Sequence, residues 1–592
     1  MKSYEVVMHW VHNKLTRTQF LILSGVLVGC TAGLAGVLLK MLVHYIHYFI
    51  TYQVHFRLQI VFYLVFPLLG ILLTTLIVKW FFKGQARKGV PAILYEIAQN
   101  NSFIAPVKMY SQIIQSAVTV GLGGSAGLES PIAVTGAAIG SNYARTYRLG
   151  YKERTLLLAA GATAGISSAF NAPIAGMMFA FEILLTGVVF SDFIPLIVAA
   201  VCGSLLSKVI LQEDVLFHFE SRQPFNYHNV PFYLGLGILS GLYARYYVVV
   251  GTTVEHFLRK VKLSPVQKAI LGGLFVSIVC VVMPPLFGEG YTSVKELAAG
   301  NVQSMIDHSF LRYFRLESWM LLLFTGFVCL LKAFSAAVTI QSGGNGGNFA
   351  PSLFSGAFLG YFFAVICHAL GVHSIPVTNL VLVGMAGVMS GVMYAPLTAI
   401  FLIAEASSGY DLFIPLMIVT VIAFLVVKWF SPISPEMQEL ASQGKIFTRE
   451  HDKNILSLLK LKDMLETDVP RVMASAHLRD VIELVKRGHQ NIIAVMAPSG
   501  ILEGVITLDE LRPVMFDTEL YDRLTAKQIM KPAGEIIMMK DNIMTAMNKF
   551  DQNHVWVLPV VHNGALAGFV SKSRILNEYR GMLQKHSDTV DE

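Results

Sequence analysis

The stretch Gly123–Gly140, GGSAGLESPIAVTGAAIG, decides how the rest of the chain is read. It is a glycine-rich turn running into a helix. Pro131 suits the first helical turn, where its missing N–H costs nothing. The glycines leave backbone amides uncovered, and those amides, with the positive end of the helix dipole, form a site for an anion. Glu129 places a carboxylate at the same point. An acid fixed in so apolar a setting is a candidate functional group, although a carboxylate stabilises any helix N-terminus.

The stretch has a partner. Residues 343–360 read GGNGGNFAPSLFSGAFLG, and aligned without gaps Gly123, Gly124, Gly127, Pro131, Gly136, Ala137 and Gly140 fall on Gly343, Gly344, Gly347, Pro351, Gly356, Ala357 and Gly360. Ala172, Pro173 and Glu182 match Ala395, Pro396 and Glu405 with the same internal spacing. The apolar region therefore reads as two related halves, about 19–210 and 228–430. Phe349 stands where Glu129 stands in the first copy, so the acid is not a feature of the repeat and a functional role is favoured. Glu182 and Glu405 occupy matched positions, which favours a packing or helix-end role. Transporters built from inverted repeats place the ion site between the repeats, at broken helices near the bilayer middle.

Composition agrees with a membrane protein. The chain has 592 residues, 54% hydrophobic and only 14% charged, far from the balance of a soluble protein. Many runs are long enough to span a bilayer. The formal net charge of +7 is the modest excess of Lys and Arg that cytoplasmic loops carry, and it does not call for nucleic acid. The five cysteines lie in apolar runs without metal-ligand spacing, so burial is their expected role. Residues 1–18 read as an amphipathic helix at the cytoplasmic face, without a signal-peptide pattern. Residues 19–445 form the membrane region. Gly-Pro breaks at 89–91, 127–131 and 347–351 and Ala-Pro breaks at 172–173 and 395–396 leave several segments too short to cross; irregular backbone at that depth is tolerated only when buried in protein or lining a wet cavity, and its repetition argues for an ion path. GEGYTSVKEL (288–297) is similar to a second-half counterpart of KGVPAIL (88–94). From 446 to 585 the chain reads as a soluble α/β domain with two similar strand–turn–strand–helix units, 494–514 and 559–579, and 586–592 as a disordered tail.

Four motifs in order, KGVP (88–91), GLESP (127–131), GNFAP (347–351) and a final helix after 431, resemble the CLC family of chloride channels and chloride/proton antiporters; the resemblance covers about 20–445. It implies an all-α polytopic membrane fold of two inverted-topology repeats and a homodimer with an ion path in each subunit. It makes Glu129 the gating glutamate, whose carboxylate occupies an anion site and carries a proton. It assigns the anion to the backbone around Gly127, Leu128 and Ser130 and around Gly347, Asn348, Phe349 and Ala350, with Lys88 and Gly89 on the first motif. The tail resembles a CBS-domain pair, in which a Ser/Thr followed three residues later by an acid holds a nucleotide ribose. Thr507 and Glu510 fit that pattern, whereas Ser571 is followed by Arg574; dimerisation and regulation are the favoured tail roles, with an adenosine nucleotide the less favoured ligand.

Several positions depart from the family pattern. Leu128 replaces a basic residue and Ser130 a glycine. Lys88 stands where a serine hydroxyl is usual; it reads as a solvated vestibule residue, with a supply of positive charge to the anion as the less favoured reading. Ile183 stands where many antiporters carry a proton-transfer glutamate on the inner side. A loose gapless alignment puts Glu436 where the last helix usually brings a tyrosine to the inner mouth. Pro131 is retained where fluoride exchangers depart, which favours chloride. The expectation is chloride transport coupled to proton counter-transport in the cell (inner) membrane, both termini cytoplasmic, with no cofactor. A passive channel of the same fold is the main alternative, favoured by Ile183; a membrane-embedded ligand sensor is a remote one, and an enzyme is not expected, because no nucleophile–base or zinc motif is present.

Overall fold

The computed structural model describes residues 15–53, 59–82, 88–185, 193–212, 217, 222–299, 302, 305, 318–372, 375–432, 434–435, 461–487, 492–553, 555–562 and 565–587. The chain divides into two units, Met1–Gln443 and Gly444–Glu592, and each is taken by itself.

The first unit is helical throughout its described residues. In order its helices are α1 (Arg17–Tyr48), α2 (Gln59–Phe81), α3 (Gly89–Gln99), α4 (Lys108–Gly121), α5 (Glu129–Thr146), α6 (Tyr151–Phe170), α7 (Pro173–Phe179) and α8 (Phe193–Leu211), then α9 (Val230–Lys260), α10 (Pro265–Val282), α11 (Tyr291–Ala298), α12 (Ser318–Gln341), α13 (Phe349–Ala369), α14 (Val377–Met393), α15 (Pro396–Ala406) and α16 (Phe413–Phe430). The second series repeats the first element by element. Among the described residues, 8 helices are long and apolar enough to cross a membrane. At 1.5 Å per residue α3, α7, α11 and α15 are too short to cross alone. They fall in matched places in the two series.

Local chemistry explains the breaks. Helix α6 ends on Asn171 (φ 54°) and α14 on Tyr394 (φ 56°), both left-handed; an alanine follows each, and proline then opens the next helix. Asn tolerates that conformation readily, Tyr poorly. Tyr394 is held there by its hydroxyl, which donates to the Ser431 carbonyl at 2.8 Å. Helices α5 and α6 touch backbone to backbone: a Cβ on Gly136 would lie 2.1 Å from the Gly161 carbonyl, and in the second half one on Gly356 would lie 2.4 Å from that of Gly384. Small residues make this packing where no hydrophobic drive separates protein from lipid.

The halves are tied by an exchange of caps. Glu182, at the end of the first half's broken helix, accepts the Leu397 and Thr398 amides at 2.9 and 2.7 Å, at the start of α15. Glu405, on α15, accepts the Ile174 and Ala175 amides at 3.0 and 2.9 Å, at the start of α7. Each acid satisfies the orphan donors of the opposite half's short helix. Such reciprocity is what a two-fold relation between the halves requires.

The second unit is α/β. Its strands β1 (Arg471–Met473), β2 (Ile492–Met496), β3 (Leu502–Thr507) and β4 (Lys531–Pro532) form one sheet, and β5 (Ile537–Met538), β6 (Val557–His562) and β7 (Ala565–Ser571) another. In both, a parallel pair (β1·β2, β5·β6) is followed by an antiparallel hairpin (β2·β3, β6·β7). Ile492, Ala494 and Met496 of the first sheet pack with Leu566 and Phe569 of the second, so the two similar units share one apolar seam. The pattern is consistent with a CBS-like module.

Two expected boundaries shift. The first span begins at Arg17, inside the segment read as a surface helix, because Thr16 and Gln19 form a capping box there; residues 1–14 lie outside the described ones. The last helix, Lys572–Ser587, runs through His586 and Ser587, which the sequence placed in the disordered tail; residues 588–592 lie outside the described ones.

Replacing Glu405 with alanine leaves the Ile174 and Ala175 amides without their acceptor, and a buried unsatisfied donor costs roughly 1–3 kcal/mol. Glu405→Ala is therefore expected to lower the thermal unfolding midpoint of the protein in detergent, with Glu405→Gln recovering part of the loss. An unchanged midpoint in the alanine variant would show that the exchanged caps do not hold the halves together.

Candidate anion site

Two loops meet where α5 and α13 begin. Gly127 and Gly347 form an antiparallel bridge, each amide donating to the other's carbonyl, at 2.9 and 2.8 Å. Neither position has room for a side chain. A Cβ on Gly127 would lie 2.2 Å from Glu129 Oε2 and 3.0 Å from the Ala350 amide nitrogen; one on Gly347 would lie 2.1 Å from Ser130 Oγ. The two motifs found in the sequence are thus joined at their glycines, with the first turns of both helices side by side.

Glu129 opens α5 and is only 2% exposed. Its Oε1 accepts the Tyr291 hydroxyl at 2.6 Å. Its Oε2 makes no well-formed hydrogen bond and crowds the space above Gly127 beside the Ala350 amide. The carboxylate therefore lies against the amide-bearing start of α13, the helix of the other half.

A cavity opens on each side of this contact. One, of about 520 Å³, is lined by Lys40, His44, Leu128, Glu129, Glu289 and Tyr291, among others. The other, of about 420 Å³, is lined by residues including Lys88, Gly89, Ser130, Tyr247, Gly347 and Asn348. Neighbours in sequence, Glu129 and Ser130, face different cavities. Each cavity also receives the start of a short helix: α11 begins at Tyr291 in the first and α3 at Gly89 in the second. Four helix N-termini, two from each half, converge on this region. Each presents a partial positive charge from its unpaired amides.

Two lysines stand behind these helix starts. Lys332 is fully buried; its Nζ donates to the Gly288 carbonyl at 3.0 Å and lies 4.6 Å from the Phe354 ring centre. Lys88 is half-buried and lines the second cavity. Its Nζ donates to the Gly343 and Gly344 carbonyls at 3.0 and 2.9 Å, because those carbonyls lie just past the end of α12 with acceptors to spare. Its charge remains on the cavity wall.

The other expected residues are distributed as follows. Phe349 and Ala350 are fully buried, and the Phe349 ring packs 5.6 Å from that of Phe179. Asn348 Oδ1 accepts the Tyr247 hydroxyl at 3.2 Å. Ile183 is buried in the turn Ala180–Leu184. Glu436 lies outside the described residues. Thr507 and Glu510 belong to the second unit, where Glu510 accepts the Thr507 amide at 2.9 Å and its hydroxyl, capping the helix Leu508–Leu511. Lys531 Nζ is 2.5 Å from the other oxygen of Glu510. The acid that would grip a ribose is already engaged. Reading missed Tyr291, Glu289 and Tyr247. The first two stand in the GEGY stretch recognised as a repeat counterpart, so a signal for them existed. Tyr247, inside an ordinary aromatic run, gave none.

Residues 69–428 match the family described as the voltage gated chloride channel. The chain belongs to the voltage-gated chloride channel family. It is similar to a ClcB-like chloride channel protein of Ralstonia nicotianae, 28% identical over 60% of this chain and 80% of that one. It is similar also to the chloride channel protein CLC-f of Arabidopsis thaliana, 26% identical over 72% of this chain and 60% of the relative. Two solved structures share the fold. One is a slow cyanobacterial Cl⁻/H⁺ antiporter (TM-score 0.62, 20% identity, 73% of this chain and 99% of that one), and the other a eukaryotic CLC transporter (0.61, 16%, 96% and 98%). Membership makes this a non-catalytic, multi-pass chloride-transport protein of the CLC type, channel or antiporter.

Two outcomes follow. Tyr291→Phe removes a hydroxyl donor to Glu129. A hydrogen bond to a charged group is worth about 1.5–3 kcal/mol, so chloride, competing with a less firmly held carboxylate, is expected to bind roughly tenfold tighter or better by calorimetry; unchanged affinity would mean the hydroxyl does not hold the carboxylate. In the tail, burial raises the Glu510 carboxyl but the Lys531 and Thr507 contacts outweigh it, holding it at about 2 against an ordinary 4.5. The stabilisation this carboxylate gives is present above 4.5 and lost as pH falls toward about 2. Amide exchange near 504–512 should accelerate across that interval, and Lys531→Met should move the acceleration to higher pH; a Lys531→Met profile matching wild type would contradict this.

Proposed function

We propose that this chain exchanges chloride for protons across a cell membrane, with Glu129 as the gate shared by both ions. The observation that carries the reading is the position of the Glu129 carboxylate. It stands between two cavities, against the first amides of α13, in the space an anion would take. An ion stripped of water loses tens of kcal/mol in a low-dielectric medium. Converging helix starts offset this without a directly bound ammonium that would trap the ion, and weak multiple contacts let it leave. The anion contacts are the backbone around Gly127, Leu128 and Ser130 on one loop and Gly347, Asn348, Phe349 and Ala350 on the other, with Lys88 and Gly89 on the approach.

A carboxylate that vacates this space when protonated lets chloride in, and one that returns expels it. Binding of proton and anion at one place is therefore mutually linked. Support comes also from Tyr291, whose hydroxyl orients the acid toward the site. A solved structure of a CLC-type fluoride/proton antiporter is similar as well (TM-score 0.58, 21% identity, 72% of this chain and 98% of that one); it supports the fold, and Pro131 favours chloride here. The chain is taken as a homodimer with both termini cytoplasmic and the tail as a regulatory CBS pair, in which Thr507 and Glu510 would have to release their own contacts to hold a nucleotide.

The passive channel remains a second reading for one reason: Ile183 is apolar and buried where antiporters of the family carry a second carboxylate. Reconstituted vesicles decide between the two. Under an imposed chloride gradient, wild-type protein should drive protons against their own gradient, read as external pH. Glu129→Gln should abolish proton movement while anion flux continues. Chloride flux with no proton movement in the wild type would establish the channel, and proton movement surviving in Glu129→Gln would remove Glu129 as the gate.

A further inference from the structure

The loop Gly288–Tyr291 carries a second carboxylate into the cavity that reaches Glu129. Glu289 Oε1 accepts the backbone amide of Leu128 at 3.3 Å, and Leu128 is the residue on which α5 opens. The loop is pinned at three points. The Gly288 amide donates to the Gly123 carbonyl at 3.1 Å, its carbonyl accepts Lys332 Nζ at 3.0 Å, and Tyr291 holds Glu129 at 2.6 Å. Glu289 is half-buried and lines the cavity, whereas Glu129 lies deeper. Two acids thus sit on different amide-bearing helix starts along one route, Glu289 at α5 and Glu129 at α13.

We propose that Glu289 is a second gate: its carboxylate occupies the Leu128 amide that a halide arriving through this cavity needs, and must leave before the ion reaches Glu129. The inference rests on the reading of the α5 start as an anion contact, and it does not depend on proton coupling. A tethered carboxylate competes with a free monovalent anion for the same N–H at a high effective concentration. The 3.3 Å contact is long for a charge-assisted bond, so it yields readily. The titratable groups that share the cavity with Glu289 are Lys40, His44 and His47 on α1 and Tyr63 on α2, with Glu129, Tyr291 and Glu296. Lys332 of α12 acts from behind the Gly288 carbonyl. Protonating Glu289 removes its claim on the Leu128 amide and opens the entrance.

Chloride and bromide titrations of the full chain in detergent test this. Glu289→Gln removes the charge, and Glu289→Asp keeps it on a side chain too short to reach Leu128. Both are expected to bind halide about tenfold tighter than wild type at neutral pH, and wild-type affinity should approach theirs in acid. Equal affinities in wild type and both variants, or weaker binding in both, would overturn the second gate while leaving the anion site intact. Absence of halide binding in all three proteins would overturn the anion-site reading and the second gate together.

Discussion

A dehydrated anion needs positive potential, and a membrane interior has almost none to give. In the proposed reading, the Gly127–Gly347 bridge answers that need. Two glycines bonded to each other draw the starts of α5 and α13 together, so that two sets of unpaired amides face one small space. A methyl group at either glycine would strike Glu129 or Ser130. Partial charges on amides are weak compared with an ammonium, and that weakness is what lets an ion pass on. Lys332 and Lys88 stand at one remove, each bonded to backbone carbonyls. Glu129, the acid proposed to compete with the ion, comes from the same turn that supplies the amides.

The remaining architecture serves to hold that contact at membrane depth. A helix that stops inside a bilayer must have its terminal groups satisfied. The exchanged acids Glu182 and Glu405 do so for α15 and α7, each drawn from the opposite half. Close backbone packing of α5 on α6 and α13 on α14 then fixes the direction in which the helix starts point. Repetition makes this economical, because one solution to the problem of a buried helix end is used twice. The glycines and proline repeat while the side chain at the helix start does not, with Glu129 in one copy and Phe349 in the other.

Much of this was legible in the residues. The two Gly-Pro motifs identify each other by alignment within one chain, and the matched Ala-Pro breaks locate α7 and α15. Matched acids at 182 and 405 pointed to a structural role, but nothing in their spacing said that each would cap the other half, since cap partners across two hundred residues leave no local trace. The partners of Lys88 were illegible for a similar reason: its acceptors, the carbonyls of Gly343 and Gly344, belong to the other repeat. Tyr291 and Glu289 lie in the stretch that matches KGVPAIL, but their partners, the Glu129 carboxylate and the Leu128 amide, belong to the other half and leave no local trace. In the tail, a Thr followed three residues later by Glu has two physical meanings, a ribose grip or a helix capping box. The structure shows the second at Thr507 and Glu510.

The central claim is that the joined starts of α5 and α13 hold the anion and that Glu129 competes for its place. Anomalous diffraction from crystals of the Glu129→Gln protein grown in bromide tests it most directly. A bromide peak in contact with the Phe349 and Ala350 amides, weaker or absent in wild type under the same conditions, is the predicted result. Bromide bound elsewhere in both proteins, with none between the two loops, would contradict it.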